Sequence, residues 1–143
     1  MSGRLAFEGV MVGDVLPTIS EPVRRIDLVR YCGASGDFNV IHWNERIALS
    51  VGLPGVIAHG MLTMARAARV VTAWTADPGA VLEYGVRMTR PVPVPDDEQG
   101  TVLTISGVVR SLDEQAHTAT VDLSATVDGA TVLGRARAVV QLA

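Results

Sequence analysis

The clearest signal in the chain lies between about Gly60 and Trp74. There Met61, Leu62, Met64, Ala65, Ala67, Ala68, Val70 and Val71 cover nearly the whole helical circumference, interrupted only by Thr63, Arg66, Arg69 and Thr72. A helix that is apolar all round is buried on most sides, so this segment predicts the main helix of the fold. Asp77-Pro78-Gly79 stops it. Beyond that point four segments predict strands: Ala80–Val92, Gly100–Leu112, His117–Val127 and Thr131–Leu142. Alternation is clear in the third. Val121, Leu123, Ala125 and Val127 face one way, and Asp122, Ser124, Thr126 and Asp128 the other. Arg135 and Arg137 alternate with Gly134, Ala136 and Ala138 in the last. Asp128-Gly129 is a hairpin signal, loosened by Ala130. The Pro91 to Asp97 stretch predicts a rigid, exposed turn.

The first half is less regular. Residues 10–18 read as a short strand ended by a turn at Gly13-Asp14. Arg25 to Tyr31 reads as a short helix, with Asp27 near its N-terminus and Gly33 and Gly36 ending it. A loop from Ser35 to Asn39 follows. A second short helix spans Asn44 to Ser50, with Asn44 as its N-cap. Gly52-Leu53-Pro54-Gly55 breaks it. One long buried helix followed by four long strands implies an α+β domain, with an antiparallel sheet wrapped around the helix. Such a sheet leaves an edge strand that a second subunit can pair, which predicts a dimer.

Composition narrows the function classes. A chain of 143 residues suits one domain over 1–143 and can bury roughly two thirds of its unfolded surface. With 48% hydrophobic and 19% charged residues it reads as globular. The net charge of −3, without blocks of like charge, gives no nucleic-acid footprint. All 12 basic residues are arginines, which excludes Schiff-base chemistry on a lysine. Cys32 is the single cysteine and cannot form an internal disulfide. The chain shows no signal segment and no stretch long enough to span a membrane, so the expectation is a soluble, cytoplasmic protein.

The candidate chemistry sits in Ser35-Gly36-Asp37-Phe38-Asn39-Val40-Ile41-His42. A glycine-led loop that turns back on itself can aim Asp37 and His42 into one cleft. A carboxylate and an imidazole together supply both halves of a proton transfer near neutral pH. Ser35 and Asn39 are candidates to orient them. The same residues are also ordinary turn chemistry, in which Asp37 caps a backbone turn and His42 is a satisfied histidine. The second feature is Ala58-His59-Gly60-Met61 at the mouth of the main helix. Free N–H groups at a helix start favour developing negative charge, and Gly60 lets a ligand approach the backbone. His117 reads as a surface residue. No Cys/His cluster has metal-ligand spacing, so no metal is expected.

Tyr31-Cys32-Gly33-Ala34-Ser35-Gly36-Asp37-Phe38-Asn39-Val40-Ile41-His42 resembles the hydratase motif of MaoC-like dehydratases and (R)-specific enoyl-CoA hydratases. Ile57-Ala58-His59-Gly60-Met61-Leu62 resembles the start of that family's central helix. Residues 78–84, Val92 to Pro95 and Gly134-Arg135-Ala136 resemble the catalytic B subunit of the (3R)-hydroxyacyl-ACP dehydratase of actinobacterial type II fatty acid synthase. Two positions depart from the family pattern. Val40 stands where proline is frequent, and Asn44, followed by Glu45, stands where an acidic residue is frequent.

The resemblance implies a single hot-dog fold and reversible dehydration of (3R)-hydroxyacyl thioesters to trans-2-enoyl thioesters. It implies His42 as the base at C2, Asp37 at the C3 hydroxyl, and the Gly60 N–H as the thioester oxyanion site, with Ser35 and Asn39 in support. It implies no cofactor beyond the phosphopantetheine that carries the substrate on acyl carrier protein or CoA. The expected partner is a second hot-dog subunit, either a copy or a non-catalytic paralogue. Small residues such as Ala65 and Ala68 are candidates to leave room for the acyl chain, and Arg87 or Arg90 to steer an acidic carrier protein. Two other readings stand beside this one: a stand-alone enoyl-CoA hydratase or polyketide-pathway dehydratase, and a non-catalytic hot-dog subunit. A hot-dog thioesterase fits less well, because such helices carry an activating carboxylate and Gly60 to Trp74 contains none.

Overall fold

The computed structural model describes residues 4–143. Its elements in order are β1 (Val15–Val23), α1 (Arg25–Ser35), α2 (Glu45–Ser50), α3 (Gly60–Thr75), β2 (Val81–Met88), β3 (Thr101–Asp113), β4 (Thr118–Val127) and β5 (Ala130–Gln141). One antiparallel sheet in the order β1-β3-β4-β5-β2 packs against α3. This is the α+β arrangement expected from the hydrophobic pattern. Apolar alternation explains the inner face: Leu103, Ile105, Val109, Val121, Leu123, Ala125, Ala136, Ala138 and Val140 are all buried. They meet Leu62, Ala67, Val70 and Val71 of α3 in one continuous core.

Several expectations need correction. The turn at Gly13-Asp14 precedes β1 and does not end it. Pro17 and Pro22 lie inside the strand, which is tolerated because β1 is a sheet edge and pairs only with β3. Helix α1 continues through Gly33 and takes in Ser35. It stops at Gly36, whose φ of 75° places it in the left-handed region. The β4–β5 turn is not loosened by Ala130. Ala130 pairs with Val127, and Asp128 and Gly129 at φ 48° and 77° make a two-residue turn. His117 belongs to the β3–β4 turn, exposed at the surface as expected.

Strand β2 ends at Met88, four residues earlier than its pattern suggests. Residues 91–95 are not simply an exposed turn. Val92 and Val94 are buried, and the segment lies along residues 56–58. Ala58 N–H donates to Val92 O at 2.8 Å and Val94 N–H to Val56 O at 2.9 Å. This strap holds the entrance to α3 in place. The helix is also less enclosed than its composition suggests. Ala65 and Ala73 are exposed, and Met61 is 60% exposed.

Arg66 and Arg69 interrupt the apolar surface of α3 for a specific reason. Both bind Glu21 of β1. Arg66 Nη1 donates to Oε2 at 2.9 Å, and Arg69 Nη1 to Oε1. Glu21 is buried, so two guanidinium groups neutralise a carboxylate taken out of water and tie the sheet edge to the helix.

Candidate active site

Three chain segments meet at the start of α3. The first is the C-terminus of α1 with the loop that follows. Ser35 Oγ donates to Tyr31 O at 2.6 Å and accepts the Asp37 N–H at 3.1 Å. The Asn39 N–H donates to Asp37 Oδ1 at 3.1 Å. The Asn39 side chain accepts from Ile41 N–H at 3.3 Å and so caps the single 3-10 turn Val40–His42. Turn chemistry and candidate chemistry therefore coincide here. Ser35 and Asn39 shape the backbone that carries Asp37 and His42, and Asn39 reaches the Asp37 carboxylate through its main chain.

The second segment is the strand-like run 56–58. His42 Nδ1 donates to Ile57 O at 2.8 Å. That bond puts the proton on Nδ1 and leaves Nε2 of the neutral ring with a free lone pair. Nε2 lies 3.9 Å from Asp37 Oδ2. The gap is too long for a direct hydrogen bond, and one oxygen atom can bridge it. His42 is buried, whereas the Asp37 side chain is 51% exposed.

The third segment is the N-terminus of α3. Gly60, Met61 and Leu62 present first-turn N–H groups that have no acceptor within the helix. A cavity of about 360 Å³ opens here, lined by His42, Gly60, Thr63, Met88, Arg90 and Leu133 among others. Its walls are mainly apolar. The helix contributes Gly60 and Thr63 to it, not Ala65 or Ala68 as the sequence suggested. Arg90 lines it and Arg87 does not. Asp37 is not part of the lining and stands on the exposed side of His42.

The residue that sequence reasoning missed is His59. It is only 1% exposed. Its ring stacks on His42, with centroids 3.8 Å apart and planes at 23°. Nε2 donates to Asp37 O at 3.1 Å. Burial holds the His59 imidazole below the ordinary histidine range, with the neighbouring His42 acting in the same direction; the Asp37 carbonyl and carboxylate oppose both. Beside it, burial and then the Asp37 charge push the Cys32 thiol up, which keeps it protonated. Asp37, His42 and His59 bring three ligand-type atoms within 4.8 Å of one another, a grouping their spacing along the chain does not reveal. One ring nitrogen on each histidine is already committed to a carbonyl, so the pair left facing open space is His42 Nε2 and Asp37 Oδ2.

Residues 9–128 match the MaoC-like domain. The chain belongs to the MaoC-like domain family. This MaoC-like domain is 41% identical over 66 residues to the 3-hydroxyacyl-thioester dehydratase X of Mycobacterium tuberculosis, covering 46% of this chain and 22% of the relative. A solved MaoC-like dehydratase superposes with a TM-score of 0.95 at 43% identity, over 99% of this chain and 43% of its own. An (R)-hydratase from A. caviae involved in PHA biosynthesis superposes with a TM-score of 0.81 at 22% identity, over 95% of this chain and 99% of its own. That last likeness concerns the fold, and together these structures place the domain in the hot-dog fold. The chain spans less than half the length of both the mycobacterial relative and the 43%-identical structure. Among the described residues no helix is long and apolar enough to cross a membrane.

Proposed function

We propose that this MaoC-like domain is a hydro-lyase that interconverts (3R)-hydroxyacyl and trans-2-enoyl thioesters. The observation that carries the reading is the free His42 Nε2, fixed by the Ile57 carbonyl, facing Asp37 at 3.9 Å and sharing a cavity with Gly60, whose N–H opens α3. In dehydration His42 Nε2 takes the C2 proton. The electrons of that bond form the C2–C3 double bond as the C3–O bond breaks. The hydroxyl, held between Asp37 and His42, leaves as water with the proton that His42 has received. In hydration the same pair orients and deprotonates one water. The Gly60 N–H binds the thioester oxygen as it gains enolate character, where a fixed dipole in an apolar site acts strongly. Ser35 and Asn39 support the loop, and no metal or redox group takes part.

Acyl carrier protein in fatty acid elongation is the proposed carrier, with CoA the alternative. Arg90, exposed and lining the cavity, supports a phosphorylated carrier arm, since a guanidinium suits a phosphate. A second hot-dog subunit, identical or a non-catalytic paralogue, is the proposed partner. The exposure of Asp37 and Met61 supports that reading, because an acyl chain needs walls on both sides. The test is a hydration assay with crotonyl thioesters of CoA, of acyl carrier protein and of N-acetylcysteamine, which lacks the phosphate. The wild-type chain, alone or mixed with a hot-dog paralogue, is expected to hydrate the thioesters. Arg90→Ala is expected to raise KM several-fold for the phosphorylated carriers and leave the N-acetylcysteamine thioester unchanged. No hydration under any of these conditions would overturn the enzyme reading. An equal effect of Arg90→Ala on all three substrates would overturn the role of Arg90.

A further inference from the structure

We propose that His59 is a positioning residue for the Asp37–His42 pair, acting on both members at once; the inference rests on the hydro-lyase reading above. Its ring forms the floor under His42, stacked at 3.8 Å, and its Nε2–H holds the Asp37 main chain at 3.1 Å. His59 is itself locked from behind. The Tyr31 ring lies 4.7 Å away at 60°, and Cys32 Sγ lies 3.6 Å from Nε2. The His59 backbone precedes Gly60, the first residue of α3, and its carbonyl accepts the Thr63 N–H at 3.1 Å. One side chain thus links the end of α1, the Asp37 loop, the His42 ring and the start of the oxyanion helix.

The hydrogen-bond pattern shows why the residue is an imidazole and not an apolar ring. Donation to a carbonyl puts the His59 proton on Nε2. Nδ1 is then a bare acceptor, buried and without a partner among the described residues. Burying an unpaired acceptor is unfavourable, and a phenyl ring would fill the space without that cost. What the imidazole adds is its donor, aimed at the residue that carries the carboxylate. Its neutrality matters as well. A cation stacked on His42 would oppose the positive charge His42 acquires on taking the C2 proton, whereas a neutral ring accommodates it. The burial of His59 works in that direction.

The consequence is a rate effect with little binding effect, because His59 does not line the cavity. Misplacing a reacting group by about 1 Å can cost on the order of 100-fold in rate. His59→Phe keeps the stack and loses the donor. It is expected to lower kcat about 10- to 100-fold, with KM within about threefold of wild type. His59→Gln restores a donor without the ring and is expected to recover part of kcat. Unchanged kcat in His59→Phe, or a loss confined to KM, would overturn the proposal. The Asp37→Asn and His42→Ala variants keep this result separate from the hydro-lyase reading. If they lose activity while His59→Phe does not, only the positioning role fails; if all three keep activity, the reading beneath it fails. Should His59→Phe not fold, nitrogen NMR of the wild-type imidazoles decides. A neutral His59 protonated at Nε2 supports the proposal, and protonation at Nδ1 overturns it.

Discussion

Removing Glu21 tests how the sheet edge is tied to the helix that presents Gly60. Its carboxylate is buried between Arg66 and Arg69, and the Arg66 guanidinium also lies 3.8 Å from Asp27. The two arginines differ in exposure: the Arg66 side chain is 24% exposed and Arg69 60%. Breaking a fully buried pair costs about 3–5 kcal/mol, and an exposed pair is worth about 0–1 kcal/mol. Glu21→Ala leaves Arg66 largely desolvated, with only the longer contact to Asp27. The expected loss is therefore about 2–3 kcal/mol, between those limits. Arg66→Ala is expected to cost about the same, and Arg69→Ala less than about 1 kcal/mol. For a domain of this length each kcal/mol lowers Tm by roughly 3–4 °C, so Glu21→Ala should melt about 6–12 °C below wild type. Urea and thermal unfolding followed by circular dichroism measure all three variants. A Glu21→Ala loss under about 0.5 kcal/mol, or a larger effect for Arg69→Ala than for Arg66→Ala, would refute the burial argument.

Two pH dependences follow, one from a buried ring and one from a half-buried ring. His59 is held below its ordinary value of 6.5, so the unfolded chain binds a proton more readily than the folded one. Its contribution to stability is complete above about 6.5 and is lost as pH falls below that value; urea midpoints measured against pH should lose this component in His59→Gln. Tyr84 shows the opposite sign. Burial pushes its phenol up to about 12 from 10.0, so its contribution is complete below pH 10 and is lost as pH rises through 12. Ultraviolet titration should find one tyrosine that ionises late, and that signal should vanish in Tyr84→Phe. The same variant removes the hydrogen bond to Met64 O at 2.7 Å and should cost about 1 kcal/mol in urea unfolding.

The long elements were readable because their patterns are set by burial. Helix α3 and strands β3 to β5 have runs of apolar residues whose period matches their geometry. Errors fell where local signals have two meanings. Gly13-Asp14 reads as the turn that ends a strand, yet it precedes β1. Gly33 reads as a helix stop, but it lies inside the last turn of α1, and the left-handed turn falls to Gly36. Strand β2 ends early because residues 91–95 leave the sheet to pack against residues 56–58, a tertiary contact with no sequence period.

At the site, Asp37, His42 and Gly60 could be singled out from motif and helix-start logic; the fold sets Asp37 3.9 Å from His42 and lines one cavity with His42 and Gly60. His59 could not. A lone histidine before a helix carries no signal of its own, and its stack on His42 joins residues 17 positions apart. The Ala65 and Ala68 suggestion failed because small size along a helix does not say which face meets the cavity.

The most direct test of the central claim is a double-mutant cycle on Asp37 and His42, read as kcat for hydration of an enoyl thioester at constant subunit composition. If one oxygen is worked on by both side chains, Asp37→Asn and His42→Ala should each cost about 10²–10⁴-fold, and the double variant should be little worse than the poorer single one. Near-normal turnover in either single variant, or penalties that multiply in the double variant, would contradict the account.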